Sequence, residues 1–105
     1  MKEVTVLELK KMIDDKVDFQ LIDVREEHEF DTANLGGELI PLGTIIDQGD
    51  QISRDKPVII HCRSGARSAA AVRELESRYG FENLANLKGG IMAWAKEIDP
   101  SMRIM

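Results

Sequence analysis

Cysteine occurs once in the 105 residues, at Cys62, so neither an internal disulfide nor a C-x-x-C or Cys/His zinc cluster can form. Long hydrophobic runs are missing too. The apolar stretches, such as Ala69 to Val72 and Ile91 to Ala95, are a few residues long where a membrane-spanning helix needs about 20. Met1 to Val4 opens no signal-like segment, and a cytoplasmic protein without a membrane partner is expected. Basic charge is in deficit, with 14 Lys and Arg against 19 Asp and Glu and a net charge of -5. A duplex nucleic-acid binder would have to overcome that repulsion before its first phosphate contact, so no nucleic-acid partner is expected. No internal repeat, low-complexity stretch or linker divides the chain. Apolar residues at 43 % and charged residues at 31 % match an ordinary globular composition, and residues 1–105 read as one domain.

Thr5 with Glu8 three residues on forms a capping-box pattern ahead of Val6, Leu7, Leu9, Met12 and Ile13, which predicts a helix over 6–14. Phe19 to Val24 reads as a buried strand, followed by a polar helix carrying EEHEF. ANLGGELIPLG, with Gly36, Gly37, Pro41 and Gly43, breaks both periodicities and is expected to be a surface loop. Thr44 to Ser53 fits one helical turn. Val58 to His61 is strongly β-branched and predicts a central strand ending at Cys62. Apolar positions from Arg67 to Tyr79 recur at helical spacing and stop at Gly80, Leu84 to Leu87 makes a further strand, and Ile91 to Ile98 a closing helix. Strands alternating with helices predict a mainly parallel sheet covered on both faces. The tail after Pro100 is left open by its sequence.

In such sheets ligands bind beyond the carboxyl ends of the strands, where Cys62 falls. Arg63, Ser64, Gly65, Ala66, Arg67 and Ser68 then run straight into the long helix, so their N–H groups can converge on one point and cradle an anion. Gly65 supplies the positive φ such a curl needs, and Arg63 and Arg67 add fixed positive charge. An ordinary thiol is roughly 3 % ionised at pH 7, and this loop favours a larger thiolate fraction. Cys62 is therefore expected to be an accessible, low-pKa nucleophile, against the competing reading of a packing cysteine beside an accidental basic turn. His61, Asp23 and Arg25 lie at strand ends, where a core histidine and a local ion pair explain them without catalysis. Gly89 and Gly90 read as a tight turn, Trp94 as core and His28 as a solvated helix residue.

With these residues laid out, the chain resembles a single-domain rhodanese over nearly all its length: LIDVREEHEF is similar to the family's first motif, IIHCRSGARSA to its active-site strand, loop and helix start, and LKGGIMAW to its closing motif. ANLGGELIPLG departs from the family's usual histidine and Pro-Gly-Ala, which puts Asn34 and Glu38 at the rim of the site as the point of difference. The resemblance implies a rhodanese-like α/β fold with a five-stranded, mainly parallel sheet flanked by helices, and a persulfide on Cys62. It implies a thiosulfate sulfurtransferase that takes small sulfur-containing anions, has thiol proteins as possible donors or acceptors, and requires no metal or organic cofactor. Three other readings stay open: a persulfide carrier without turnover, a binding module of the same fold, and a cysteine-dependent phosphatase or arsenate reductase. Against the last, four residues separate Cys62 from Arg67 where the phosphatase signature needs five, a ring better sized for one sulfur than for a tetrahedral phosphate.

Overall fold

The computed structural model describes residues 1–104. In chain order the elements are β1 (Glu3–Val4), α1 (Val6–Asp14), β2 (Gln20–Asp23), α2 (Glu27–Thr32), β3 (Glu38–Leu39), α3 (Leu42–Ile45), a 3-10 segment (Ile46–Gln51), β4 (Val58–His61), α4 (Ala66–Tyr79), β5 (Leu84–Leu87) and α5 (Gly90–Glu97). The five strands form one parallel sheet in the order β1-β5-β4-β2-β3. β4 lies at its centre, with all four residues buried, and the connections leave β2 and β4 in opposite directions, so the sheet opens a crevice beyond the carboxyl ends of those two strands.

Local chemistry explains the boundaries. Thr5 Oγ1 accepts from Glu8 N–H at 3.1 Å while Glu8 Oε1 accepts from Thr5 N–H at 2.9 Å, the reciprocal cap that starts α1. α4 ends at Gly80, whose φ of 67° lets its N–H close on Glu76 O. Alternate β4 residues then face opposite layers: Val58 and Ile60 pack with Val72 and Leu75 of α4, while Ile59 packs with Leu9, Leu87 and the α1–α5 side. Trp94 is partly buried in that second layer, and His28 is exposed on α2.

Two expectations need correction. ANLGGELIPLG is not loop throughout, because Glu38–Leu39 joins the sheet beside Ile22 and Asp23, and Leu42 already begins α3. Thr44 to Ser53 holds more than one turn, the end of α3 running on into the 3-10 segment, with Gln48 off helical geometry. Both pieces are too short to show a period of their own, and their pairing is tertiary.

Candidate active site

β4 delivers Cys62 to the carboxyl end of the sheet, and the chain curls back over it before entering α4. Gly65 makes the curl: its φ of 109° lies in the left-handed region that suits glycine alone at low cost. The curl aims Gly65 N–H at Cys62 Sγ, 3.1 Å away, and Ser68 N–H at 3.4 Å, with the Ser68 hydroxyl also at 3.4 Å. Burial pushes the thiol pKa up, but the Ser68 hydroxyl and the N–H groups of Ser68, Gly65 and Ser64 outweigh it, so the thiol lies below its ordinary value. The lowering comes from hydrogen bonds that favour the thiolate.

The thiol is not accessible, contrary to the sequence expectation: Cys62 is 1 % exposed. A short side chain at the floor of a loop closed by its own amides is covered by the donors that stabilise it. A second buried layer holds the loop. Asn86 on β5, 3 % exposed, donates from Nδ2 to Gly65 O at 3.2 Å, and its Oδ1 lies 2.5 Å from the Ser68 hydroxyl. The Gly65 contact fixes which way the amide points, and Oδ1 therefore competes with Cys62 for the single Ser68 proton. From the other side, α5 docks on the loop carbonyls: Ile91 N–H donates to Cys62 O and Met92 N–H to Arg63 O, both at 3.0 Å. Gly90 is more than a turn residue, since a Cβ there would fall 2.5 Å from each of those two oxygens.

The two arginines go different ways. Arg67 makes a two-pronged pair with Glu29 of α2, Nη1 to Oε1 at 2.8 Å and Nη2 to Oε2 at 2.9 Å. The Arg67 hydrogen bond is the largest of the influences that hold the Glu29 carboxyl at about 2. The Arg67 guanidinium in turn is held above its ordinary pKa first by the Glu29 hydrogen bond, with the Cys62 thiolate a smaller contributor. Arg63 is exposed and lines a neighbouring groove instead of the thiol ring, and Ser64 and Ala66 are exposed on the loop and the first turn of α4. Thus the structure brings Gly65 and Ser68 onto Cys62, with Ser64 acting through its backbone.

Asp23 and Arg25 form an ion pair that is buried rather than local to the surface, with Arg25 Nη2 2.7 Å from Asp23 Oδ2 and side chains 1 % and 0 % exposed. Arg25 also donates to Ala33 O at 2.7 Å, which ties the end of α2 to β2 and so sets where Glu29 stands. His61 is buried with Nε2 3.8 Å from Asp23 Oδ2, and both ring nitrogens lack a hydrogen-bond partner among the described residues. Burial keeps its pKa down against the pull of Asp23. Glu38 does not form a rim over Cys62. Asn34 donates to Phe30 O, while Glu38 accepts from Gln20 at the opposite end of the sheet.

Glu29 and Asn86 are the residues sequence reasoning missed. Asn86 had a signal, a polar residue inside the apolar strand LANL. Glu29 had none, since its partner is 38 residues away.

These features define an α/β domain organised around one cysteine held in an amide-lined loop. The family model for the rhodanese-like domain matches residues 5–97, and the chain belongs to that family. It is 34 % identical over 97 residues to a protein of Allochromatium vinosum named sulfurtransferase, covering 91 % of this chain and 90 % of that one. It is 35 % identical over 103 residues to the "Probable adenylyltransferase/sulfurtransferase MoeZ" of Mycobacterium tuberculosis, covering 94 % of this chain and 26 % of the relative, so it spans about a quarter of that protein's length. Among solved structures it resembles a rhodanese-like domain protein from Staphylococcus aureus, with a TM-score of 0.83, 31 % identity and coverage of 100 % and 99 %. The family relationship is to sulfurtransferases in general.

Proposed function

We propose that this protein transfers sulfane sulfur from a small anionic donor such as thiosulfate to a thiophilic acceptor through a persulfide on Cys62. The observation that carries the reading is the ring around Sγ, in which Gly65 and Ser68 N–H groups converge at 3.1 and 3.4 Å. In loading, the Cys62 thiolate attacks the outer sulfur of thiosulfate. The Sγ–S bond forms, the bond to the sulfonate sulfur breaks, and sulfite leaves with the electron pair. The three negative charges of the reactants become one on the persulfide and two on sulfite, so no oxidant or reductant enters. In unloading, an acceptor thiolate attacks the outer sulfur, and the electron pair returns to Cys62 Sγ.

Burial of the thiol fits this cycle. A sulfur added at an S–S bond of about 2 Å carries the reactive atom away from the floor of the loop, while the amides that held the thiolate remain to stabilise the leaving Sγ. A cytoplasmic setting is part of the proposal, because acceptor thiols stay reduced there.

The test is turnover of thiosulfate with cyanide by the purified protein beside Cys62→Ser, with the mass of the loaded protein read in parallel. Turnover and a one-sulfur mass gain in the parent, both absent in the variant, are expected. Loading without turnover would make the protein a carrier. Neither loading nor turnover, with inorganic phosphate protecting Cys62 from alkylation, would replace sulfur chemistry by phosphate chemistry.

A further inference from the structure

Arg67 stands one residue before Ser68, whose N–H and hydroxyl both lie 3.4 Å from Cys62 Sγ, so its charge acts on any donor that reaches the sulfur. That charge is already matched, because Glu29 Oε1 accepts from Nη1 at 2.8 Å and Oε2 from Nη2 at 2.9 Å. Nor is Glu29 free to swing aside when a donor arrives. Its Oε1 also accepts from Glu26 N–H at 3.1 Å, part of the reciprocal cap that starts α2, and Arg25 holds the other end of that helix through Ala33 O at 2.7 Å. A carboxyl held at about 2 also stays ionised through the whole range in which a thiolate exists. Glu26 and Glu27, exposed at the start of α2, add further negative charge, and the buried pair of Asp23 and Arg25 adds none of either sign.

We infer that Glu29 is a specificity-determining residue that filters sulfur donors by charge, so that a donor with one negative charge is favoured over the dianion thiosulfate. The inference rests on the proposed sulfur transfer and deepens it by naming the donor class. Arg67 keeps N–H groups beyond those that face Glu29, so it can still orient an oxygen of the donor by hydrogen bonding. What it lacks is the net charge to hold a second negative charge beside the thiolate. The Glu29 side chain is 12 % exposed, so water and salt screen its repulsion only in part. Organic persulfides and thiosulfonates carry the single charge the site favours. With a thiosulfonate, the Cys62 thiolate attacks the outer sulfur, the Sγ–S bond forms, the bond to the sulfonyl sulfur breaks, and a sulfinate leaves with the electron pair. Two negative charges stand on each side of that step, against three for thiosulfate.

Methanethiosulfonate and thiosulfate present the same outer sulfur and differ by one charge, a methyl standing in place of an oxygen anion. Loading of Cys62 is followed by mass with each donor, in the parent and in Glu29→Gln, and the ratio of the two loading rate constants is the readout. Both donors meet the same thiolate, so the ratio is indifferent to the change in thiol pKa that the variant also brings. In Glu29→Gln it should shift about five-fold towards thiosulfate at low salt, and less at high salt. Glu29→Asp, which keeps the charge, should stay near the parent. A ratio that Glu29→Gln leaves at the parent's value, or that Glu29→Asp shifts as far, would overturn the filter. Urea unfolding checks that the variants fold, and Glu29→Ala carries the same expectation should Glu29→Gln fail to. Alkylation supplies an arm that needs no sulfur chemistry. Iodoacetate and iodoacetamide again differ by one charge, and the ratio of their rates at Cys62 should shift about five-fold towards iodoacetate in Glu29→Gln. If neither donor loads while that ratio shifts, the transfer reading fails and the filter stands. If both donors load and neither ratio moves, the filter fails and the transfer stands.

Discussion

The two ends of the parallel sheet are built from different polar chemistry. At the amino end lies the larger groove, about 620 Å³, where Gln20 bridges Glu38, Gln51 O and Ser53 N–H and where Lys56 pairs with Asp18 across 3.2 Å. Those groups are largely exposed and cap strand starts. At the carboxyl end, Asp23, Arg25, His61, Ser68 and Asn86 are all at most 3 % exposed. Burying polar groups costs free energy unless each finds a partner, so a fold concentrates them where they must hold something in place. Here Ser68 and Asn86 hold the Cys62 loop from below, and Asp23 and Arg25 fix α2 beside it. Cavity size points to one end of this molecule and buried hydrogen bonding to the other, and the nucleophile lies with the second.

Paired glycine substitutions test the contrast with the largest effect. A Cβ at Gly90 would meet Cys62 O and Arg63 O at 2.5 Å, and one at Gly37 would meet Leu21 O at 2.6 Å. Gly90 also has a φ of 60°. Both alanine variants should lose roughly 2 to 4 kcal/mol in urea unfolding. Only Gly90→Ala should also cut sulfur loading per folded molecule, by about two powers of ten or more, because its clash displaces the amide ring. Equal loss of loading in Gly37→Ala would erase the distinction between the ends.

Asn86→Ala comes next. It frees Gly65 O and the Ser68 hydroxyl, each contact worth about 1 kcal/mol net and more when a buried group is left unsatisfied. Loop order should fall; the freed Ser68 hydroxyl can then donate wholly to Cys62, but the loss of aim of the Gly65 and Ser68 amides should outweigh that gain, so the pH midpoint of Cys62 alkylation should rise towards its ordinary value, with transfer slower by about ten-fold. A midpoint that stays put would show that the loop holds its own shape.

How far the sequence reveals these ends differs as well. The capping box of Thr5 and Glu8 places α1 at 6–14, and the β-branched run places β4 at 58–61, because those signals are local. The four-residue spacing from Cys62 to Arg67 is likewise a local count. β1 and β3, two residues each, become strands only by lying against Asn86–Leu87 and Ile22–Asp23. The burial of Cys62, the Asn86 brace and the Glu29 pair depend on chain segments that meet only after folding, and no window of sequence contains both partners.

Glu29→Gln has a smaller effect with a definite sign. Removing a carboxylate from beside Arg67 leaves the guanidinium charge uncompensated near Cys62, so the alkylation midpoint should fall, by less than the Asn86 variant raises it. The stability effect depends on pH. Glu29 is depressed from 4.5 to about 2, so its contribution is full above 4.5 and is lost as pH falls towards about 2. The gap in unfolding midpoint between parent and variant should therefore be present near neutral pH and shrink in acid. A gap that is constant down to about pH 2 would mean the pair stabilises through packing rather than charge.

The smallest expected effect is the sharpest check on the amino end. Lys56 is the one cation among the residues lining the larger groove, beside the carboxylates of Glu38 and Asp50. An anionic sulfur donor entering there would meet two negative charges for one positive, in a site with no buried donor comparable to the Gly65 and Ser68 amides. Its ion pair with Asp18 joins side chains 38 % and 87 % exposed, so water and salt screen it and its loss should cost less than about 0.5 kcal/mol. Lys56→Ala should therefore leave stability, the thiosulfate KM and kcat at the parent's values, at low salt as well as high. A KM that rises at low salt and recovers at high salt would place donor capture in the larger groove, and the division of labour between the two ends of the sheet would have to be redrawn.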